Sequence, residues 1–482
     1  MRSGILRDGP GTGWLAILAV ALATAFADAT PSAGQLVPLS PDFQVNEYTT
    51  GSQEGSLVTT APDGSFTVVW CCGKSPSGSS YEPIVARRFD AQGQPLGGEF
   101  QVSQYGRSAF PSGIGADAAG QFVVAWGHGH YGCPGCWSDY VKGRRWTAEG
   151  QPRGEQFTVS DPPGGIYTGD GRVAVASGGG FVVAWNDYGA WAKRYDPDGT
   201  PLGPAFQVGG EGGASSYPEV TPLPADGFLI VWHDWNAMAH LDALLAQRYD
   251  SNGLPAGARI QVTDPLNRAT NADVSSAPDG AFVVARTAYS TAAEGKASGR
   301  PQGPRGGSPA YSDEIEVRRF SADGTPLGPA ENANTIQVPP TFSPVVRHQA
   351  DGGFVVAWDS AESEGTDTSY ASIQARVVAT DGTMLGRQLQ LNDWTPRSQF
   401  WPSMAFQPNG DLIVTWSSFT SPGSDSDSLS ILARRFRVAF FMDGFETGDA
   451  SRWSATEPLA GSRTGSAKAG GGPTGGARGL TK

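Results

Sequence analysis

The sequence predicts an all-β fold, a seven-bladed β-propeller, from three observations: a strand motif that recurs seven times, a turn motif that follows it, and one unattached strand near the N-terminus. The recurring motif is a tight turn followed by a β-branched run, as in "DGGFVVAW" at residues 351–358. Its copies end at Trp70, Trp126, Trp185, Trp232, Arg286, Trp358 and Trp416. Repetition of one supersecondary unit over a chain of 482 residues favours a single closed body.

Each copy can be divided into four short antiparallel strands. The second copy reads "SGIGAD", "QFVVAW", "YVKGRRWTA" and "EQFTVS". A Gly or Asp-Gly turn joins the first two strands, and a turn such as "DPDGTPLGPAF" joins the last two. Glycine adopts the positive φ of these turns and proline sets the following bend, so four strands per blade are expected.

The last copy lacks a fourth strand, because "ILARRFRV" (residues 431–438) is not followed by one. The segment "FQVNEY" (residues 43–48) is a fourth strand without a blade. Pairing between the two would close the ring and leave no free strand edge. The tryptophan that ends six of the seven motifs is expected to pack between blades, and Arg286 departs from this pattern.

The propeller is predicted to span residues 43–438. Before it, basic residues, an apolar run and the small-residue site at Ala27–Ala29 predict a signal peptide over residues 1–29, followed by a linker over 30–42. A single N-terminal membrane anchor is the alternative. After it come a short motif at 439–455 and a tail at 456–482, rich in Gly, Ala, Ser and Thr, that is expected to be disordered.

The formal net charge is −13. An acidic surface repels nucleic acid and anionic lipid, so neither is expected as a partner. No later segment is long and apolar enough to span a bilayer. We therefore expect a secreted monomer, extracellular or at the cell surface, whose partner is an extracellular glycan or protein.

The units "DGxFVVxW" and "RRFDxxGxPLGxEFQV" resemble uncharacterised propeller-like repeats of secreted bacterial proteins. The stretch "DGFETGDASRWS" resembles a short "DGFESGD"-type element near the C-terminus of such proteins. The resemblance implies the architecture and export from a bacterial cell, and it brings no catalytic residues. The sialidase box is absent, and only Asp196, Asp198 and Gly199 match part of an integrin-type calcium loop.

Connections between the second and third strands vary most in length, and they should share one face with the links between blades. Variable loops on a rigid scaffold commonly carry function. Exposed aromatic rings there suit stacking on sugars, although they could instead fill gaps between blades. The candidate ligand-binding residues on this face are His128, His130, His233, His240, Trp137, Trp235, Trp394, Phe400 and Trp401.

The four cysteines lie in equivalent loops of the first two copies. An exported protein meets an oxidising compartment, so two disulfides between the blades are expected, with the pairing order open. Those bonds would join Cys71 and Cys72 to Cys133 and Cys136. The alternative is a zinc site formed by His128, His130, Cys133 and Cys136.

No cofactor is expected, except that acidic loops in the last two copies could hold calcium. A solvated acidic loop is the alternative for these residues: Asp359, Glu362, Glu364, Asp367, Asp425 and Asp427. No nucleophile, metalloprotease or phosphate-loop motif is present in the sequence.

Three hypotheses about function follow. The first is a non-catalytic propeller that binds an extracellular ligand through its long-loop face. The second is a glycan-processing hydrolase or lyase with its active site at the central channel, and the third is a structural or adhesive surface protein. Carboxylates that converge at the channel mouth would favour the enzyme, whereas scattered carboxylates would favour binding.

Overall fold

The computed structural model describes residues 34–71, 83–104, 108–128, 140–160, 171–209, 217–236, 241–263, 269–290, 312–336, 344–426 and 428–439. All of them belong to one compact unit, Met1–Met442. They form strands, turns and bends with no helix. Within these ranges, therefore, no helix could cross a membrane. The second unit, Asp443–Lys482, lies outside the described residues.

Two short strands, β1 (Gln35–Pro38) and β2 (Phe43–Gln44), precede the first blade. Blade one contains β3 (Glu54–Thr60), β4 (Phe66–Cys71), β5 (Val85–Phe89) and β6 (Phe100–Gln101). Blade two contains β7 (Ser108–Ala116), β8 (Phe122–His128), β9 (Tyr140–Trp146) and β10 (Phe157–Thr158). Blade three contains β11 (Arg172–Val175), β12 (Phe181–Asn186), β13 (Ala190–Tyr195) and β14 (Phe206–Gly209).

Blade four contains β15 (Glu219–Pro222), β16 (Phe228–Asn236), β17 (Leu241–Tyr249) and β18 (Ile260–Gln261). Blade five contains β19 (Ala269–Ser276), β20 (Phe282–Ser290), β21 (Ser312–Phe320) and β22 (Glu331–Asn332). Blade six contains β23 (Val345–His348), β24 (Phe354–Ser360), β25 (Ser372–Val378) and β26 (Met384–Gln390). Blade seven contains β27 (Gln399–Phe406), β28 (Asp411–Phe419) and β29 (Leu429–Ala439), completed by the N-terminal strands.

The predicted seven-bladed propeller, with four antiparallel strands per blade, is confirmed. The first strands of successive blades contact one another around the ring, and β27 of blade seven returns to β3 of blade one. The first strand is therefore the innermost in every blade. Each blade alternates strand direction, so its innermost strand begins on the face that carries the blade links and the second-to-third connections. We call this the long-loop face and the opposite one the short-turn face.

Ring closure by the N-terminal strand is also confirmed. Phe43 of β2 pairs with Ala433 of β29, and the Val45 amide donates to the Ile431 carbonyl at 2.8 Å. A side-chain contact repeats the same arrangement: Asn46 Oδ1 accepts from the Ile431 amide at 2.9 Å, as Asn392 Oδ1 accepts from the Ile373 amide within blade six at 2.9 Å. The N-terminal segment thus takes the place of a fourth strand.

Closure involves more of the chain than the sequence indicated. Residues Gln35–Pro38, within the predicted linker, form β1 and pair with Phe436–Ala439 at the far end of β29. Leu36 is buried in the core that blades six and seven share. The outer strand of blade seven is therefore built from two pieces, β1 and β2.

The six motif tryptophans pack between blades, as predicted. Each is at most 2% exposed. Trp358 of blade six contacts the core of blade five, which includes Ala285 and Val317, and Trp70 of blade one packs in a core that includes Ile413 of blade seven. Large aromatic area buried in this way stabilises each blade against its neighbour.

Blade five lacks the tryptophan and has Arg286 in its place. The side chain is buried, at 5% exposure, and forms an ion pair with Glu316 on the adjacent strand β21. A buried guanidinium needs such a partner, because an unpaired charge in the interior is strongly unfavourable.

Candidate functional site

The central channel holds the candidate site. It encloses a cavity of about 470 Å³ that residues of all seven innermost strands line. Most of these residues are small or apolar, such as Gly113, Ala174 and Val274. The charged ones come from blades three to six, so one side of the channel differs chemically from the other.

Four charged side chains from four successive blades form a row, which we call the charged row: Arg172, Glu219, Asp273 and Arg347. The first three occupy equivalent positions, since they pair with Ala184, Val231 and Ala285, each of which precedes the end of its strand motif. Arg347 lies one pleat further along its strand, opposite Val355. Innermost strands start on the long-loop face, so the charged row lies toward that end of the channel.

The first half of the charged row is an ion pair between blades three and four. Arg172 Nε donates to Glu219 Oε1 at 2.8 Å, and Arg172 Nη1 donates to the Ser112 carbonyl of blade two at 2.6 Å. The Ser112 hydroxyl in turn donates to the Gly171 carbonyl at 3.0 Å. The guanidinium is thus held by groups from both neighbouring blades.

The second half is an ion pair between blades five and six. Asp273 Oδ2 accepts from Arg347 Nη1 at 2.6 Å and from the Val346 amide at 2.8 Å. The Ser275 hydroxyl on the same strand accepts from the His348 amide at 3.0 Å. These contacts orient the Asp273 carboxylate toward blade six.

The environment of Glu219 changes the protonation of its carboxyl. The pKa of the Glu219 carboxyl is raised to about 7: burial and, to a smaller extent, the charge of Asp273 raise it, and Arg172 opposes both effects. Its side chain is 16% exposed. A carboxyl with a pKa near neutrality can donate or accept a proton at physiological pH.

His348 also lines the channel, nearer the short-turn face. Burial lowers the pKa of this imidazole to about 4, and its ring packs against Phe354 at 5.3 Å between centroids. The side chain is therefore neutral at pH 7.

Two uncharged residues stand close to the charged row in sequence and also line the cavity: Tyr217 and Asn271. Tyr217 is 67% exposed and meets the ring of His233 edge-on at 6.4 Å. Asn271 is exposed. Neither residue was a candidate from sequence.

The predicted ligand-binding residues that the structure describes lie on or beside three different blades: two, four and seven. His128 ends β8, and His233 is buried on β16 beside Tyr217. Trp235 is on β16, and its side chain is outside the description. Trp137, His130 and His240 lie outside the described residues.

The remaining three aromatic candidates lie near blade seven. Trp394 is half-buried in the link to that blade; its amide donates to Asp42 Oδ2 at 2.7 Å and its indole to Thr420 Oγ1 at 3.3 Å. Phe400 and Trp401 are the second and third residues of β27, and their rings meet edge-to-face at 4.7 Å between centroids. These contacts give all three residues a packing role, and their role in ligand binding stays a prediction. Trp401 directly precedes Pro402 and Ser403 of the cavity lining.

Of the four cysteines, the structure describes Cys71. It is buried at the end of β4 in a core shared with Phe122 and Trp126 of blade two. Cys72, Cys133 and Cys136 lie outside the described residues, so the pairing between the blades stays a prediction.

The acidic loop residues are partly structural. Asp359, Asp367 and Asp425 are buried, so the alternative of a solvated loop is wrong for these three. Asp367 Oδ2 accepts from Asn392 Nδ2 at 2.8 Å, and Asp425 Oδ2 accepts from Asn46 Nδ2 at 2.7 Å.

The loops that contain Asp367 and Asp425 are held by the same arrangement, which we call the loop clamp. It consists of the asparagine–aspartate contact just described and of the contacts of the glutamine two residues before that asparagine. Gln390 Oε1 accepts from the Ser363 hydroxyl at 2.7 Å and from the Asp367 amide at 2.8 Å. Gln44 Oε1 accepts from the Ser421 hydroxyl at 2.7 Å and from the Asp425 amide at 3.0 Å. Asp427 lies outside the described residues, Glu362 and Glu364 are exposed, and among the described part of the chain no three His, Cys, Asp or Glu side chains are grouped to hold a metal. Calcium binding stays a prediction.

Sequence reasoning missed the charged row. Its signal was present in the repeats: the innermost strand carries Leu57, Gly113 or Ser403 where blades three to five carry Arg172, Glu219 and Asp273. Aligning the first strands of all seven copies would have exposed this substitution of charge for small or apolar residues.

No protein-family model and no curated protein matches the chain. Among solved structures, the polysaccharide lyase Uly1 is similar with a TM-score of 0.51 and 7% identity, over 84% of this chain and 100% of that one. A Dyadobacter fermentans protein of unknown function has a TM-score of 0.48 and 13% identity, over 84% and 99% of the two chains. A Penicillium chrysogenum α-L-arabinanase complexed with arabinobiose has 0.41 and 12%, over 82% and 98%. At such identities the likeness is one of fold alone.

Proposed function

We propose that the protein is a secreted binding propeller that takes a neutral, hydroxyl-rich ligand, a glycan, at the long-loop end of its central channel. The charged row carries the proposal. Arg172 and Glu219, then Asp273 and Arg347, supply two guanidinium groups and two carboxylates along one side of a cavity of about 470 Å³.

The balance of charge favours an uncharged ligand. Each carboxylate of the row is paired with an arginine, so an anionic or cationic ligand would meet a like charge beside every opposite one. Sugar hydroxyls can donate to the carboxylates and accept from the guanidinium groups at the same time. The exposed ring of Tyr217 adds an aromatic face of the kind that stacks on sugars.

A glycan panel tests the proposal. The mature chain should bind a neutral glycan, and Arg172→Ala should weaken that binding by about tenfold or more, since hydrogen bonds to charged groups contribute about 1.5–3 kcal/mol. Arg153→Ala is the matched control, because Arg153 pairs with the exposed Asp198 away from the channel lining. Equal binding by Arg172→Ala and the parent chain would reject the channel as the ligand site.

A second candidate is a glycan-processing enzyme, hydrolase or lyase, acting at the same place. The observation that favours it is the convergence of two carboxylates, Glu219 and Asp273, with the pKa of Glu219 raised to about 7. Binding is proposed first because an arginine engages each of these carboxylates. Glu219 would then serve as the proton donor or acceptor. New reducing or unsaturated ends released by the parent chain, and abolished in Glu219→Gln, would place this function first.

The proposal also includes export from the cell and disulfides between blades one and two. The signal-peptide pattern of residues 1–29 and the position of Cys71 against blade two support it. Intact-mass measurement of the exported chain should give an N-terminus after Ala29 and no free thiols. The adhesive alternative predicts loss from the cell surface when residues 440–482 are deleted.

A further inference from the structure

Four blades carry a residue in left-handed backbone conformation at the same place on or beside the innermost strand. These residues are Gly55, Tyr217, Asn271 and Trp401, with φ of 66°, 33°, 50° and 57°. Each stands two residues before the innermost-strand residue that pairs with the next-to-last residue of the strand motif. Those innermost-strand residues are Leu57, Glu219, Asp273 and Ser403, which pair with Val69, Val231, Ala285 and Thr415. The conformation is therefore a feature of the repeat.

In blades one, five and seven the strand register shifts at this place, which marks a β-bulge. A bulge bends its strand and re-aims the side chain at the bulged position, and bulges are common beside functional sites. Here the bulges lie where the innermost strands begin, so they surround the long-loop end of the channel.

The side chains at these positions are unfavourable for the backbone. Tyrosine and tryptophan rarely adopt positive φ, and the residue before a proline is pushed toward extended conformations. Tyr217 and Trp401 precede Pro218 and Pro402 and nevertheless have positive φ. Gly55 adopts the same conformation in blade one, so the bulge does not require a side chain.

These residues are next to the charged row. Tyr217 and Asn271 line the channel and precede Glu219 and Asp273 by two positions, and Trp401 adjoins the lining residue Pro402. Tyr217 is 67% exposed and Asn271 is also exposed, so burial in a core does not explain their conformation. Local strain held in place by the surrounding fold is characteristic of binding sites.

We propose that Tyr217, Asn271 and Trp401 form a collar at the channel mouth that contacts the ligand, and that the ligand is an oligosaccharide extending from the charged row through this collar. The inference rests on the proposed function. The aromatic rings stack on sugar faces beyond the residue held by the charged row, and the Asn271 amide donates to and accepts from hydroxyls. A monosaccharide bound at the charged row would make fewer contacts with the collar than an oligosaccharide.

Glycine substitutions separate side chain from backbone, because glycine adopts positive φ without cost. Tyr217→Gly and Asn271→Gly should show a thermal midpoint equal to or above the parent's, and affinity for a neutral oligosaccharide should fall by about tenfold or more. Monosaccharide affinity should change less. Tyr370→Gly is the matched control: Tyr370 has φ 60° and is 79% exposed, but it lies in the β24–β25 connection. It should keep the parent's affinity.

Oligosaccharide binding by both glycine variants within about twofold of the parent would overturn the collar. The proposed function would survive that result if Arg172→Ala still lost binding. Failure of the parent chain to bind any glycan would overturn both. A loss of oligosaccharide affinity in Tyr370→Gly equal to that in the two collar variants would indicate a binding surface away from the channel and would also overturn the collar.

Discussion

At the scale of single residues, the most informative positions are those where a few blades depart from the repeat. Arg286 replaces the tryptophan that ends the other six motifs, and Glu219 is one of three charged residues at a position where the other blades carry small or apolar residues. The sequence identified Arg286 because it interrupts an obvious motif. It did not identify Glu219, because the innermost strand carries no conspicuous motif and the charge stands out only when the first strands of all seven copies are aligned.

The first prediction concerns Arg286. Arg286→Ala should lower the free energy of unfolding by about 3–5 kcal/mol, because it leaves the partly buried Glu316 without its ion-pair partner. Urea unfolding measures this. Arg153→Ala, which breaks the exposed pair with Asp198, should cost about 1 kcal/mol or less. Similar losses in both variants would contradict a buried pair.

The second prediction concerns pH. The pKa of Glu219 is raised from 4.5 to about 7 in the fold, so the folded state holds a proton that the unfolded state has released between these values. Stability from this group is therefore present below pH 4.5 and is lost as pH rises toward 7. Glu219→Gln should remove that fall, so the parent should lose stability relative to the variant between pH 5 and 7. A difference in stability between parent and variant that stays constant over this pH range would be inconsistent with the raised pKa.

At the scale of elements, strands and turns followed from the sequence, whereas the loop clamps did not. Asp-Gly turns and β-branched runs act over neighbouring residues, so local pattern predicts them. The loop clamp joins residues far apart in the chain, such as Asn46 and Asp425. The sequence therefore left a solvated loop open for these acidic residues, whereas in the fold an asparagine that follows the outer strand donates to the aspartate of each loop.

The third prediction tests the loop clamp of blade six. Asn392→Ala removes the donor to Asp367 and the acceptor for the Ile373 amide, both buried. The unfolding free energy should fall by about 2–5 kcal/mol, since each buried unsatisfied group costs about 1–3 kcal/mol. Asn409→Ala, in a short turn, is the control and should cost less than about 1 kcal/mol. Equal values would mean that the clamp does not hold the loop.

At the scale of the whole molecule, the ring is closed by two N-terminal strands on β29. The sequence predicted β2 because "FQVNEY" repeats the fourth-strand motif. It did not predict β1, since "QLVP" matches no repeat and its pairing with Phe436–Ala439 extends blade seven beyond the usual length.

The fourth prediction tests closure. Deletion through residue 48 should expose the edge of β29, lower the thermal midpoint and cause self-association, because unpaired strand edges recruit other chains. Deletion through residue 38 removes β1 alone and should lower the midpoint less. Thermal melts and size-exclusion chromatography report both effects. A thermal midpoint that is the same after the longer deletion as in the full-length chain would contradict closure by these strands.

The central claim is that the charged end of the channel binds a neutral glycan. Isothermal titration of the mature chain with the best glycan of the panel tests it most directly. We predict one site per chain, affinity reduced about tenfold or more in Arg172→Ala, and affinity unchanged in Arg153→Ala. Full affinity in Arg172→Ala would contradict the account.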